Sequence, residues 1–389
     1  MIPDHQFGFR WGHSTNHAIL KLHGDVTENL KNRKCTVTCS LDVEKAFDRV
    51  WTDGLIYKML AYSVPAPLAR IFISFLTARK LVVEINGAVS NPINVCSGVP
   101  QGSITGPKLY NFNLLDFPHL LTDNDGNIIS KSILYADDTL VYAHSKNPSE
   151  VLEKVTAHLE QIKQFYQTWG LKSIIVKLTL SVLETHQVRD RRIKVKENLK
   201  YLGINFDHLL KSNTHGTYAL KKAIKASGIL MPLLRHPKLR PKTKLLLYKQ
   251  LIRPVLSYGF VNWFAVSPSL ALRMETFERR ILRLCINKHF KTRFKKFSNN
   301  FIYEEAGIVP FFKYMITLSK KFLDTLPDHS NSLIKELYQK NCNAKLNEYY
   351  LSPIALINSD SQELLQDVSE SVQIPRLYNT NFLRAQNRR

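Results

Sequence analysis

The sequence predicts an α+β fold. Helical periodicities and strand pairs follow one another in blocks instead of alternating as strand–helix–strand units. Runs of β-formers flank tight turn signals, and beyond Gly203 the texture turns helical and basic. With 389 residues and 44% hydrophobic content, the chain can bury a full core, with room for two or three domains.

From Thr15 to Leu30 the residues Ala18, Ile19, Leu22, Val26 and Leu30 recur at helical spacing behind Ser14 and Thr15, which can cap the start. His13 and His17 stand four apart, but Ser14 replaces the glutamate that a zincin helix needs. Thr36 to Leu41 is β-prone. Leu55–Ala61 and Leu68–Leu76 read as amphipathic helices separated by Val64-Pro65-Ala66-Pro67. Leu81, Val83 and Ile85 alternate into Asn86-Gly87, a strong hairpin signal, with Ile93 and Val95 beyond it. Pro107 to Leu115 is a short helix, and Asp123-Asn124-Asp125-Gly126 is a surface turn lacking the closing glutamate of a calcium loop. Asn147-Pro148-Ser149-Glu150 opens a helix with cap, first-turn proline and acid in order; Val151, Val155, Leu159, Ile162, Phe165 and Trp169 form its buried stripe, and Gly170 ends it.

Lys and Arg number 54 against 32 Asp and Glu, a net charge of +22, which points to a polyanionic partner. Five cysteines, Cys35, Cys39, Cys96, Cys285 and Cys342, lack zinc spacings and imply a reducing intracellular compartment. The lack of a long apolar run or signal peptide leads us to expect neither secretion nor a membrane.

The chemistry concentrates in Tyr135-Ala136-Asp137-Asp138-Thr139, where two carboxylates sit in a polar gap between Ile133-Leu134-Tyr135 and Leu140-Val141-Tyr142. Such a pair is either a solvated turn or, at a hairpin tip, half of a metal site. The second possibility gains weight from Asp42, at the end of the Thr36–Leu41 strand. Hard oxygen ligands suit Mg²⁺. Two such ions about 3.5 to 4 Å apart activate an attacking hydroxyl and stabilise the leaving oxygen of a phosphoryl displacement, so polymerase chemistry leads.

These residues resemble the reverse transcriptases of non-LTR retrotransposons, in particular jockey-like elements of insects. The similarity runs in order through Gln6-Phe7-Gly8-Phe9-Arg10, Ser40-Leu41-Asp42-Val43-Glu44-Lys45-Ala46-Phe47-Asp48, Ser97-Gly98-Val99-Pro100-Gln101-Gly102-Ser103, the Tyr-Ala-Asp-Asp box and Lys200-Tyr201-Leu202-Gly203. It continues into Ile252-Arg253-Pro254-Val255-Leu256-Ser257-Tyr258-Gly259. The resemblance implies a right-hand palm, an antiparallel sheet packed on helices, with incomplete fingers and a mostly helical thumb. It implies that Asp42, Asp137 and Asp138 are catalytic and, with the carbonyl of Val43, hold two Mg²⁺, with Mn²⁺ as a substitute. Phe47 would exclude a ribose 2′-hydroxyl. Pro100, Gln101, Gly102 and Lys177 would hold the nucleotide, although Ile174 and Leu178 depart from the pattern around that lysine. Gln6, Phe9, Arg10, Tyr201, Leu202 and Gly203 would meet primer and template. The plain alternative is a core residue for Phe47, a loop for Pro100-Gln101-Gly102, a surface cation for Lys177 and an ordinary hairpin for Tyr201-Leu202-Gly203.

The implied division is 1–40 a remnant of fingers, 41–205 palm, 206–297 helical thumb or connection, and 298–389 an extension of unknown role. Lys288 to Phe297 interleaves cations with Phe290, Phe294 and Phe297, which suits either nucleic-acid contact or a solvated helix face. The expected partners are an RNA template, a DNA primer and deoxynucleoside triphosphates. The family's endonuclease domain is expected in a full-length element and is absent from these residues. Nuclear location is expected only through the resemblance. The rival expectation is a truncated, catalytically impaired remnant that binds RNA or RNA/DNA hybrid without polymerising.

Overall fold

The computed structural model describes residues 2–170, 174–175, 180–183, 195–196, 198–207, 210, 212–263, 266–286 and 298–342. These divide into two compact units: one of Met1–Ala18 with Arg33–Glu197, the other of Ile19–Asn32 with Asn198–Arg389. The Thr15–Lys31 helix therefore begins in the first and ends in the second.

The first unit is built on a seven-stranded sheet. Its path runs Val195–Lys196, Leu180–Leu183, Cys35–Val43, Asp138–Ser145, Ile128–Tyr135 and Leu120–Thr122, and Ile174–Ile175 pairs with the end of Cys35–Val43. Every pairing is antiparallel except that of the first two strands. Cys35–Val43 is central, so alternation is replaced by burial on both faces: Cys35, Val37, Cys39, Leu41 and Val43 enter one hydrophobic core, while Thr36 and Thr38 are buried opposite. The Pro148–Thr168 helix closes that core with Val151, Val155, Ile162 and Tyr166. Its start follows from sequence, since the Asn147 side chain accepts from the Ser149 N–H and Pro148 occupies the first turn.

Thr52–Ala61 and Ala66–Leu76 are the two expected helices. Lys58 ties the first of them inward: its ammonium is buried, donates to the Asn113 carbonyl and to Asp116, and lies 3.7 Å from the centroid of a Trp169 ring. At Asn86-Gly87 both residues have positive φ, 52° and 85°, the two-residue turn that joins Glu84–Ile85 to Ala88–Val89. Asp123 accepts from the Asp125 and Asn127 amides, an Asx turn. Among the described residues no helix is long and apolar enough to cross a membrane.

The second unit is mostly helical. After the hairpin Asn198–Tyr201/Ile204–Asp207 it runs through Ser212–Arg235, Pro241–Leu247, a π-helical turn at Tyr248–Ile252, Arg253–Ser257 and Pro268–Cys285. Asn299–Ala306, Phe311–Leu323 and Ser332–Cys342 follow. Its centre is a buried carboxylate. Glu278 accepts from the Tyr248 and Tyr303 hydroxyls and from the Phe311 N–H at 2.8 Å, and lies 3.7 Å from Arg253. Arg253 donates to the Val309 carbonyl at 2.5 Å and sits 3.8 Å from the centroid of the Tyr314 ring.

Candidate active site

Pairing between Cys35–Val43 and Asp138–Ser145 runs in register from Cys35 opposite Ser145 to Leu41 opposite Thr139. Asp42 and Asp138 are the next residue on each strand, so the ladder delivers two acids to the same sheet end. Asp137 lies in the turn that joins Tyr135 to Asp138, after Ala136, whose φ is +59°. A left-handed alanine is strained, which makes the turn dependent on what surrounds it.

The three acids are coupled by their fields. Burial of its carboxyl by packed neighbours, followed by the charges of Asp137 and Asp42, raises the pKa of Asp138. Among the described residues no three His, Cys, Asp or Glu side chains close into a ready-made cation cluster. The donor set, oxygen-only and mutually repelling, nevertheless suits a hard divalent cation, whose charge would relieve that repulsion. Val43 ends its strand beside Asp42, paired with Ile174.

Phe47 is half-buried and stacks on the buried ring of Tyr110, with centroids 4.4 Å apart, while Phe9 meets it edge-on at 5.9 Å. Tyr110 also stands in the field of Asp137: burial, then Tyr166, then the charge of Asp137 push its phenol well above the ordinary value.

The Pro100-Gln101-Gly102 loop is laced to the segment after Phe47. Val99 N–H donates to the Phe47 carbonyl, Gly98 N–H to the Val50 carbonyl, and the Gln101 amide to Asp48 at 2.7 Å. A Cβ at Gly98 would stand 2.7 Å from the Asp48 carbonyl oxygen, so the approach requires glycine there. Arg79 clamps the same loop, donating to the Ser97 and Gly98 carbonyls at 2.7 Å each. Gln101 and Gly102 are exposed, and nothing crowds Gly102.

Gln6 and Arg10, expected at the nucleic acid, both have partners within their own unit. Gln6 is buried, with its side-chain oxygen accepting from Ala136 N–H at 2.9 Å and Gly8 N–H at 2.8 Å, while its amide donates to the Ala136 carbonyl at 3.2 Å. Arg10 donates to the Pro3 and Gln6 carbonyls and pairs with Asp4 at 3.4 Å, so its guanidinium closes its own loop. Their expected place at the nucleic acid came from the resemblance, which carries no information on which intrachain partners they take. Phe9, half exposed with φ +56°, is the member of that trio that reaches the surface.

Tyr201, Leu202 and Gly203 belong to the second unit. Tyr201 is buried, and Leu202 and Gly203 form the two-residue turn with φ of 43° and 81°. The Tyr258 hydroxyl donates to the Leu202 carbonyl at 2.8 Å, which links two segments of the resemblance inside one unit. Lys177 and the Lys288 to Phe297 stretch lie outside the described residues.

Sequence reasoning missed Tyr110, Asp48, Arg79 and Asn111, which donates to the Gly8 carbonyl. Asp48 closes one of the resemblance segments and Tyr110 and Asn111 lie in the short helix after the Pro100-Gln101-Gly102 loop, while Arg79 carries no such signal.

Over 357 residues, 89% of this chain, the sequence is 27% identical to the probable RNA-directed DNA polymerase from transposon X-element of Drosophila melanogaster. Over 347 residues, 86% of the chain, it is 28% identical to the RNA-directed DNA polymerase from mobile element jockey of the same species. The chain spans 38% and 37% of the length of these two relatives. A telomerase from Candida tropicalis, solved with a fragment of telomeric RNA, is similar at 12% identity and a TM-score of 0.39 over 84% of this chain and 52% of that one, too distant to carry an argument. The model of the reverse transcriptase (RNA-dependent DNA polymerase) family matches residues 1–206, more than half of the 389. That match takes in Asp42, the Pro100-Gln101-Gly102 loop and the acidic turn together, and the chain belongs to the reverse transcriptase family.

Proposed function

We propose that this chain is the core of a non-LTR retrotransposon RNA-directed DNA polymerase, adding deoxynucleotides to a primer 3′-hydroxyl on an RNA template. The observation that carries the reading is the delivery of Asp42 and Asp138 to one sheet end, with Asp137 in the adjoining turn and the charges of the other two felt at Asp138. Asp42, Asp137, Asp138 and the Val43 carbonyl would hold two Mg²⁺, or Mn²⁺, which when bound supply charge neutralisation for an in-line phosphoryl displacement. The chain's own residues do the positioning. Phe47, backed by Tyr110, offers a rigid ring against which a ribose 2′-hydroxyl would clash. Gln101, steadied by Asp48, presents an exposed amide to a nucleotide or template base. The Leu202-Gly203 turn, held by Tyr258, is suited to gripping a primer strand. The net charge of +22 favours nucleic acid on electrostatic grounds.

A second reading is a truncated, catalytically impaired remnant that binds RNA or hybrid duplex without polymerising, which the net charge of +22 would serve equally well. Primer extension on poly(rA) with oligo(dT) and Mg²⁺ separates the two. Extension by wild type and none by Asp137→Ala is expected; binding of the primer–template without extension would leave the remnant.

A further inference from the structure

We propose that Gln6 is a positioning residue for the acidic turn, acting through the peptide of Ala136. The inference rests on the polymerase reading for its effect on catalysis, but its geometry stands apart from it. The carboxamide faces Ala136 as a neighbouring strand would: its oxygen takes the Ala136 N–H at 2.9 Å and its nitrogen gives to the Ala136 carbonyl at 3.2 Å. A side-chain amide carries a donor and an acceptor in one plane, as a backbone peptide does, so a single residue supplies a full rung of ladder. Gln6 also makes a bridge with Leu134, and the Phe7 N–H donates to the Leu134 carbonyl at 2.8 Å, so the backbone of this segment is docked on the strand that enters the turn.

Ala136 is where the turn most needs such support. Its φ is +59°, a conformation disfavoured for alanine, and Asp137 is the next residue. Rotation of the Ala136 peptide would re-aim the Asp137 carboxylate directly. The surrounding residues keep the amide in place. Gly8 donates to the same Gln6 oxygen at 2.8 Å, and a Cβ on Gly8 would stand 2.2 Å from the Ala136 nitrogen. The buried Asn111 amide donates in turn to the Gly8 carbonyl at 2.8 Å. Glutamine is needed at position 6 because leucine has neither polar group, asparagine is one carbon short, and ionised glutamate would turn an oxygen toward the Ala136 carbonyl.

The test uses the full chain with Gln6→Leu and Gln6→Glu, read by primer extension and by amide hydrogen exchange at Ala136. Gln6→Leu is expected to lower kcat roughly 100-fold, the order of loss that follows from an ångström-scale misplacement of a reacting group, with KM for the nucleotide little changed. Exchange at Ala136 is expected to quicken in the same variant. Gln6→Glu adds a pH signature, read beside its melting temperature over the same pH range so that loss of fold is told apart from loss of positioning. As a neutral acid it can still donate to the Ala136 carbonyl; once ionised it cannot, so its activity relative to wild type should fall as pH rises through the titration of the new carboxyl. Wild-type kcat in Gln6→Leu, or a pH-independent ratio in Gln6→Glu, overturns the catalytic role. If wild type itself extends no primer, the polymerase reading fails while Ala136 exchange still decides the clamp: faster in Gln6→Leu upholds it, unchanged refutes it.

Discussion

Two acidic centres in this chain differ in almost every physical respect. At the end of the sheet, Asp42, Asp137 and Asp138 stand in each other's field, and burial together with their mutual charge raises Asp138. In the helical unit, Glu278 is fully buried, yet two tyrosine hydroxyls and a backbone amide bond it and Arg253 lies close by. A carboxylate whose partners are all supplied by its own chain is spent on holding the fold together. Carboxylates held in one another's field cost stability, and that cost is expected where a charged reactant is to be met.

The sharpest way to break this comparison is to neutralise one acid at each centre. Asp137→Ala should lower primer extension by at least 10³-fold, the scale of losing a principal electrostatic group, with a melting temperature equal to or above that of wild type. Glu278→Ala should do the reverse, costing about 3–5 kcal/mol in denaturant unfolding because Arg253 is left buried and unpaired. A stable Glu278→Ala protein, or an Asp137→Ala protein that unfolds, would erase the distinction.

Acidity offers a gentler probe. Burial lowers His23 and His215 to about 4, and burial with the adjacent His119 and Arg10 charges outweighs Asp4 in lowering His5 to about 3. In each, the unfolded chain takes up a proton near pH 6.5 while the folded form stays neutral. Stability is therefore fully present above pH 6.5 and should be lost as pH falls toward 4, and for His5 toward 3, by up to about 1.4 kcal/mol per pH unit per histidine. Glu278 opposes this in sign: burial raises it, so its ionisation costs stability as pH rises above the ordinary glutamate value. Thermal melts between pH 4 and 7 of wild type and His215→Gln test the histidine contribution, and a variant whose melting temperature has the wild-type pH slope would refute it for that residue. The smallest expected effect concerns sugar choice. Phe47→Ala should raise ribonucleotide incorporation roughly 10-fold, since a single steric contact discriminates by only 1–3 kcal/mol, and unchanged selectivity would remove the gate.

The two centres also differ in how legible they were. The acidic hairpin is a local pattern, with alternation on both sides and a polar break between, and Asp42 sits at the end of a β-branched run. Glu278 lies in Glu275-Thr276-Phe277-Glu278-Arg279-Arg280, which reads as a solvated helix face, and its partners Tyr248, Arg253 and Tyr303 lie 25 to 30 residues away in both directions. Local turn chemistry was readable for the same reason: Asn86-Gly87 and Asn147-Pro148 act within a few residues. Gln6 acts on a residue 130 positions distant, so its chemistry was visible and its partner was not. The passage of Ile19–Asn32 into the second unit was likewise hidden, because one uninterrupted helix crosses the division.

The wide turn at Tyr248–Ile252 runs directly into Arg253-Pro254 and carries Tyr248 at its start. A π turn accommodates one residue more than an α-helical turn, and each residue of an α-helix advances it by about 100°. That one extra residue sets the phase between the phenol and the guanidinium that converge on Glu278. Insertions and deletions in this joint should thus be far less tolerated than substitutions of equal size, even where every side chain keeps its chemistry.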